Sequence, residues 1–520
     1  MSAVAAPTLR ARLLEGSDFL VGVELVSIRG SLGEARGVKA RELGARLAAS
    51  PLVDWVSITD NAGGNPQLAP QALGKPILEA GKEVVIHLTC KDLNRNGLES
   101  AAWELDSEGF HNVLALTGDY PIGGNEGMAK PVFDLDSVGL ICLLDKMNRG
   151  FLDGHPRTAF CIGAVVSNHK RHEGEVVPQL LKLRTKIECG ARFVVNQVGF
   201  DARKARELRR WMQAAGVGTT PLIGNVYVLT PRAARAFHEN RIPGIVVTRA
   251  LLEECERRGA SPDAGKAFFH ELAAKQVAVF RGLGYRGAYL GGIRDLAAVE
   301  DILAIERRFG PGDWRTFARE VAFAQEGEFY LYSDEPADAP VELAAAGAPA
   351  RAAAAPRGGG GLHYALSKRV HAALFTAGRP FARWGAALCR RARDPAQGPL
   401  LLRLAERMGK AALYRCKDCG DCSLPDVAFL CPESQCAKNQ RNGPCGGSRD
   451  GRCEVDGIGE CVWLRAYARR AADGTADALL AHAPVVQDQG LRGTSSWANF
   501  WLGRDHAAHP MPGPGDRRGS

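Results

Sequence analysis

No run of 18 uncharged apolar residues occurs in the 520-residue sequence, so nothing in it reads as a membrane span. The first residues, Met1 to Glu24, lack the continuous apolar core of a secretory signal and run directly into a strand pattern, which points to a cytoplasmic protein. No internal repeat stands out. Net charge is scarce as well: 66 Lys and Arg against 58 Asp and Glu leave +8, too little over this length to imply nucleic acid. Apolar residues at 46% and charged residues at 24% exclude a disordered chain and a coiled coil. The charge excess that does exist is local. Between Leu362 and Arg470 there are 19 Lys/Arg and 10 Asp/Glu, so the remainder is near neutral.

Cysteine is sparse over most of the chain and crowded in one stretch. Six of the 14 are scattered (Cys90, Cys142, Cys161, Cys189, Cys255, Cys389) and read as buried thiols. Eight fall in Cys416-x2-Cys419-x2-Cys422-x8-Cys431-x4-Cys436-x8-Cys445-x7-Cys453-x7-Cys461, interleaved with Gly and Pro. In a reducing compartment such crowding points to metal rather than disulfides, because short Cys-x2-Cys loops bring two thiolates to one ion or cluster. Iron–sulfur clusters and zinc both use four thiolates, and spacing alone leaves the choice open.

Residues 1–310 alternate short apolar runs with helical patterns. Strands are predicted at Phe19–Val26, Val53–Thr59, Glu83–Thr89, Asn112–Thr117, Ala159–Val165, Arg192–Gln197, Pro221–Val226 and Gly287–Gly291. Helices are predicted between them, among them Lys39–Ala49, Leu98–Ser107, Val177–Cys189 and Ala202–Ala214. Eight βα units in this length fit a (β/α)8 TIM barrel, with an open doubly wound sheet as the competing architecture. Gly282-Leu-Gly284-Tyr-Arg-Gly287 matches the GxGxxG spacing but follows a helix and precedes a strand, the reverse of a dinucleotide-binding turn, and reads as an αβ loop. The expected organisation is a barrel domain over 1–333, an Ala/Pro/Gly linker over 334–362, a basic helical and Cys-rich metal-binding α+β module over 363–472, and an irregular tail over 473–520. Trp497, Phe500 and Trp501 in that tail read as a strap packed on the protein.

A TIM barrel keeps its chemistry at the C-terminal ends of its strands. Polar residues recur there: Glu24 on strand 1, Ser57 to Asn61 after strand 2, His87 and Thr89 on strand 3, Thr117-Gly118-Asp119 after strand 4, Asn196-Gln197 after strand 6 and Asn225 on strand 7. Glu24 is the sharpest. A carboxylate within an apolar strand is either paired or shifted toward its neutral form, and the second case suits a general acid. A structural salt bridge is the alternative. By their residue types alone His87 reads as a core histidine, Asp119 as a turn residue and Lys186 as a solvated helix lysine.

Taken in order, Glu24 in Val-Glu-Leu, Ser57-Ile-Thr-Asp-Asn-Ala-Gly-Gly, His87-Leu-Thr-Cys, Leu114-Ala-Leu-Thr-Gly-Asp119 and Lys186-Ile-Glu-Cys-Gly-Ala191, with Gln197 six residues on, resemble the motifs of methylenetetrahydrofolate reductases. The resemblance runs from residue 19 to 310. It implies a flavin-binding barrel that interconverts 5,10-methylenetetrahydrofolate and 5-methyltetrahydrofolate. Position by position it implies Glu24 and Asp119 as catalytic residues. It implies Thr59, Ala62, His87, Thr117, Gly118, Asp119 and Lys186 as flavin contacts, and Asp119 and Gln197 as folate contacts. Departures stand at three places: Leu25-Val26-Ser27 replaces aromatics and prolines after strand 1, Thr117 replaces an arginine, and Val166-Ser-Asn-His-Lys-Arg-His172 replaces the segment after strand 5. These leave FAD ahead of FMN but open, and leave direct NAD(P)H oxidation open.

Cys431-Pro-Glu-Ser-Gln-Cys436 and Arg441-Asn-Gly-Pro-Cys-Gly-Gly447 resemble the cysteine-rich module fused to, or partnered with, some of these reductases. That implies iron–sulfur, zinc or both, on all eight cysteines from Cys416 to Cys461. Residues 363–415 carry 11 Lys/Arg and two acids, Asp394 and Glu406, and read either as a solvated face or as a dock for an acidic electron carrier such as a ferredoxin. The expected partners are therefore folate and either NAD(P)H or that carrier, without nucleic acid or membrane, and homo-oligomerisation stays open. The competing functions are a pterin-dependent methyltransferase with zinc-thiolate activation and a non-catalytic folate-binding scaffold.

Overall fold

The computed structural model describes residues 7–150, 156–332, 336–339, 361–376 and 378–508, so the linker read at 334–362 lies almost wholly outside them. Eight parallel strands close into a barrel in sequence order: β1 (Leu20–Leu25), β2 (Trp55–Ile58), β3 (Glu83–Thr89), β4 (Asn112–Leu116), β5 (Cys161–Val166), β6 (Phe193–Asn196), β7 (Leu222–Tyr227) and β8 (Gly287–Gly291). All eight fall on the predicted segments. The doubly wound alternative is set aside by the β1–β8 ladder, which runs in parallel register from Leu20↔Gly287 to Val23↔Leu290.

Helix α1 (Leu9–Leu14) precedes β1, and α2 (Ala35–Ala49), α3 (Pro70–Glu79), α4 (Arg95–Ser107), α5 (Ser137–Arg149), α6 (Glu173–Glu188) and α7 (Ala202–Ala214) follow β1 to β6. Between β7 and β8 stand α8 (Pro231–His238), α9 (Arg249–Gly259) and α10 (Lys266–Gly282), with α11 (Leu296–Glu306) and α12 (Trp314–Glu320) after β8. Gly282 to Gly287 form the turn from α10 into β8, as the αβ reading expects. The barrel interior is filled rather than open: Trp55, Phe193, Leu114, Val85 and Ile223 pack with Leu9 and Leu13 of α1. Gly22 makes this possible, because a Cβ there would lie 2.0 Å from the Trp55 ring. Large residues thus interdigitate with glycine in the barrel layers.

The C-terminal part is built from α13 (Leu362–Leu374), α14 (Pro380–Arg391), α15 (Leu400–Tyr414), the single turn α16 (Pro432–Gln435), α17 (Val462–Ala472) and α18 (Ser496–Trp501). Its described residues carry isolated bridges, such as Arg449↔Arg452, but no named strand, so the expected α+β character is corrected to helices and loops. The physical reason lies in the cysteine loops, whose Gly and Pro residues turn the chain too often for a ladder. The module shares a core with the barrel: Val462, Trp463, Ala466 and Tyr467 of α17 are buried in the cluster that also holds the barrel helices, and Tyr467 donates to Glu173 on α6 (2.7 Å). The tail packs into the module. Trp501 stacks on Phe375 (5.4 Å between centroids, 6° between planes) and donates its indole N–H to the Leu374 carbonyl (2.9 Å). Among the described residues no helix is long and apolar enough to cross a membrane.

Candidate active site at the barrel mouth

The strand ends surround a cavity of about 250 Å³. Glu24, Thr59, Ala62, His87, Thr117, Gly118, Asp119, Lys186 and Gln197 all line it, so every barrel site residue expected from the sequence reaches one place. The parallel register explains this. Each residue sits at the C-terminal end of its own strand or in the following loop, or, for Lys186, on the inner face of α6.

Glu24 lies on β1 with its carboxyl lowered into the barrel. Tyr289 on β8 donates to it (3.3 Å), and burial pushes its pKa above the ordinary glutamate value, against the lowering effect of that hydrogen bond. Gly291 leaves room for it, since a Cβ there would stand 3.1 Å from Glu24 Oε2. No Lys or Arg pairs with Glu24 among the described ion pairs, which removes the salt-bridge alternative. Ser57 Oγ bonds His87 Nε2 (2.9 Å) and reaches Tyr289 in turn, so Glu24, Tyr289, Ser57 and His87 form one chain across the cavity floor. Burial holds His87 down to about 4, a neutral imidazole.

Asp119 accepts from the Gly63 N–H (2.7 Å), which ties the β4 loop to the β2 loop. Thr59 accepts from Ser27 N–H (3.0 Å). Asp60 accepts from the Thr89 N–H (3.0 Å) and hydroxyl (2.7 Å), and burial raises its pKa. Lys186 is buried, not solvated. Its amine donates to the Val165 carbonyl (2.7 Å), and burial, helped by Lys182, pushes it down to about 7. Lys182 and Lys186 are four residues apart and therefore share a helix face, here turned inward.

A second wall of the cavity comes from the module: Lys438, Cys445, Gly446, Gly447 and Glu454. The loop is stitched to the barrel. Lys182 donates to Gln440 Oε1 (3.0 Å) and to the carbonyls of Gly443 (3.0 Å) and Pro444 (3.1 Å). Lys170 donates to the carbonyls of Gly446 and Ser448, and Ser448 donates to Glu175 (2.7 Å). Asp136 accepts from both the backbone N–H (2.9 Å) and the side-chain amide of Asn442. Sequence reasoning missed this wall, together with Tyr289 and Lys182. Tyr289 is an inward position of a predicted strand and was within reach of strand periodicity; for Lys182, Lys438 and Glu454 no pattern in the chain announces the contact.

The eight module cysteines are all free thiols and separate into two sets. Cys416, Cys419, Cys422 and Cys431 line a cavity of about 320 Å³ beside Arg403, Lys410 and Arg441, with Lys410 Nζ 3.3 Å from Cys422 Sγ. Cys436, Cys445, Cys453 and Cys461 act on one another electrostatically: burial, then Cys445, pushes Cys436 and Cys461 up. Among the described residues no three His, Cys, Asp or Glu side chains close into a site for a single metal ion. Cys416, Cys445 and Cys453 each accept a backbone N–H from two residues on, Asp418 (3.4 Å), Gly447 (3.4 Å) and Val455 (3.5 Å). For Cys416 and Cys453 these donors oppose, without overcoming, the burial that pushes the thiols up.

Residues 14–284 match the family model described as methylenetetrahydrofolate reductase, and residues 399–489 match one described as methylene-tetrahydrofolate reductase C terminal. The 5,10-methylenetetrahydrofolate reductase of Salmonella typhimurium is 26% identical over 188 residues, 35% of this chain and 57% of that protein. That of Pectobacterium carotovorum is 28% identical over 164 residues, 31% of this chain and 50% of that protein. The chain spans about half the length of these curated relatives. A solved structure, an uncharacterized protein from Clostridium thermocellum that binds two copies of 5-methyl-5,6,7,8-tetrahydrofolic acid, overlaps 57% of this chain and 97% of its own at 13% identity and a TM-score of 0.40, a likeness that carries no argument.

Proposed function

The chain belongs to the methylenetetrahydrofolate reductase family, and on that premise we propose that it is a flavin-dependent oxidoreductase interconverting 5,10-methylenetetrahydrofolate and 5-methyltetrahydrofolate. The observation that carries the reading is the convergence of Glu24, His87, Asp119, Lys186 and Gln197 on one cavity at the barrel mouth. The donor set suits a flavin. The Thr59 and Thr117 hydroxyls offer hydrogen bonds to a ribityl chain and a pyrimidine edge, and Lys186 is a buried amine with donors to spare beyond Val165, placed for an anionic group. When bound, the flavin would supply or accept the hydride at the exocyclic carbon of the folate.

The protein's own part follows from its groups. Glu24, whose burial favours the protonated form, gives its proton to the folate nitrogen as the methylene bridge opens. Asp119 offers a fixed negative charge to the iminium cation so formed. Gln197, held by the Val198 N–H on its Oε1 (2.9 Å), presents its amide N–H groups to the pterin. The neutral His87, through Ser57 and Tyr289, fixes the orientation of Glu24.

For the module we propose iron–sulfur clusters held by the two cysteine sets. Cysteines gathered this closely become a ready set of thiolate ligands once a metal displaces their protons. The first set lines a cavity of about 320 Å³, with room for a cluster of several atoms. Cys445 borders both the second set and the barrel cavity, which supports electron entry through the module. The test is anaerobic purification with flavin, iron, acid-labile sulfide and zinc quantified, followed by mixing with each folate. Flavin whose absorbance responds to both folates is expected. Protein without flavin, or with flavin indifferent to folate, overturns the reading; zinc without iron overturns the cluster assignment alone.

A further inference from the structure

We infer that Lys438, carried by the C-terminal module, is a positioning residue for the barrel's own site: it anchors the Gly118-Asp119 turn and sets a cation beside the Asp119 carboxylate. The inference rests on the flavin reading above and deepens it.

Lys438 lines the same cavity as Glu24, His87 and Asp119. Its amine donates to the Gly118 carbonyl (2.8 Å), is paired with Glu454, and lies 5.7 Å from the centroid of the Phe133 ring. Asp119 is near enough to act on it electrostatically. The lysine and glutamate side chains are only 5% and 3% exposed, so their charges are screened less by salt than charges at the surface. Gly118 has φ +87° and packs against Thr89 and Lys91, a left-handed turn that glycine alone adopts freely; the bond from Lys438 fixes which way its carbonyl points, and with it the next residue, Asp119. Gly447 has to be glycine for the pair to exist, because a Cβ there would lie 2.1 Å from the Glu454 carboxyl.

The barrel's own lysine at this corner, Lys91, packs its side chain on Gly118 and is paired with Asp92 (2.5 Å). β4 is followed by the neutral Thr117, whose hydroxyl stands 3.4 Å from Gln440 of the module, and Ser167 after β5 lies under Gly446. The loop from Lys438 to Ser448 therefore sits over two of the places where the barrel departs from its family's pattern. A charge contributed there belongs to the assembled protein and is missing from the barrel alone.

A cation beside the flavin favours its reduced, more negative form, and a carboxylate opposes it, so the two partners have opposite signatures. Spectroelectrochemistry of the full-length, flavin-loaded protein should show the midpoint potential falling in Lys438→Met by about 30 mV, a tenfold change for a two-electron couple. Glu454→Gln should raise it, and Lys438→Arg should restore most of the wild-type value. Lys438→Met should also lower kcat with little change in the folate KM, because the displaced Asp119 acts on the transition state. No shift, or shifts of the same sign in the two variants, overturns the inference in favour of a merely structural ion pair. Should Lys438→Met fail to fold, Glu454→Gln alone decides: an upward shift supports the inference and none overturns it. Wild-type protein lacking flavin sinks the flavin reading and this inference together, whereas loaded protein with unmoved potentials sinks this inference alone.

Discussion

Glu24 shows how one residue draws its chemistry from where it stands. Burial raises its pKa, so below that raised value it is a proton donor, and as pH rises through it the donor is lost. Folate turnover should therefore fall on the alkaline side, with no second limb from His87, which is already neutral above about 4. The linkage to stability has the same sign. The folded state holds this proton more tightly than the unfolded chain, so stability declines as pH rises from the ordinary glutamate range through the raised value, and Glu24→Gln should lessen that decline. The same substitution keeps the shape and removes the proton. It should leave flavin bound and slow flavin reoxidation by methylenetetrahydrofolate by roughly 10²–10⁴-fold in stopped-flow; near-wild-type reoxidation would sink the assignment. Asp119→Asn should slow the folate half-reaction by ~2–4 kcal/mol of barrier and the flavin half-reaction by less. Equal slowing of both would make the residue structural.

Helix α6 is the element on which the two halves meet. Its outer turns belong to an ordinary barrel helix, but its inner face carries Gln179, Lys182 and Lys186, and Tyr467 of α17 reaches its first residue, Glu173. Lys182 is 1% exposed and satisfies two carbonyls and one amide oxygen of the module loop. Lys182→Met keeps the length of the side chain and takes away the amine that the Gly443 and Pro444 carbonyls and Gln440 accept from. It should cost on the order of 3–5 kcal/mol, read as a lower denaturation midpoint and as earlier proteolysis between residues 438 and 448. An unchanged midpoint would mean that the loop is held chiefly by Lys170 and Asp136.

Across the whole molecule the charge is arranged with a direction. The helices α13 to α15 carry the surplus of basic residues, and one of their two acids, Glu406, is buried against Ser495 and Ser496. These helices also expose Leu362, Trp384, Leu401 and Met408, and Arg403 and Lys410 border the cavity of the first cysteine set. If the first cysteine set holds the proposed cluster, a basic and apolar face beside it would suit an acidic electron carrier. Flavin reduction by reduced ferredoxin should slow by roughly tenfold between low and high salt, since exposed charges are screened within about 10 Å at 0.1 M. Fast, salt-insensitive reduction by NADH in a chain ending before Asp334 would show that electrons enter without the module.

The strands were legible because a strand covered on both faces must be a continuous apolar run, and eight such runs separated by helical stretches leave few architectures open. Glu24 was legible for the complementary reason, since it interrupts an apolar strand; Asp119 and Gln197 lie just past their strands, and by residue type alone Asp119 read as a turn residue. Lys186 was not legible by periodicity, since only the inward turn of α6 distinguishes a buried lysine from a solvated one. The eight cysteines mark one segment by their crowding, but their division into two sets depends on how loops 416–431 and 436–461 fold, which spacing does not fix. What only the tertiary structure decided is that this module closes the barrel mouth. Gly118 and Lys438 are 320 positions apart, and their contact is set by α17 burying Trp463 and Tyr467 in the core it shares with the barrel helices, a non-local packing that no local pattern encodes.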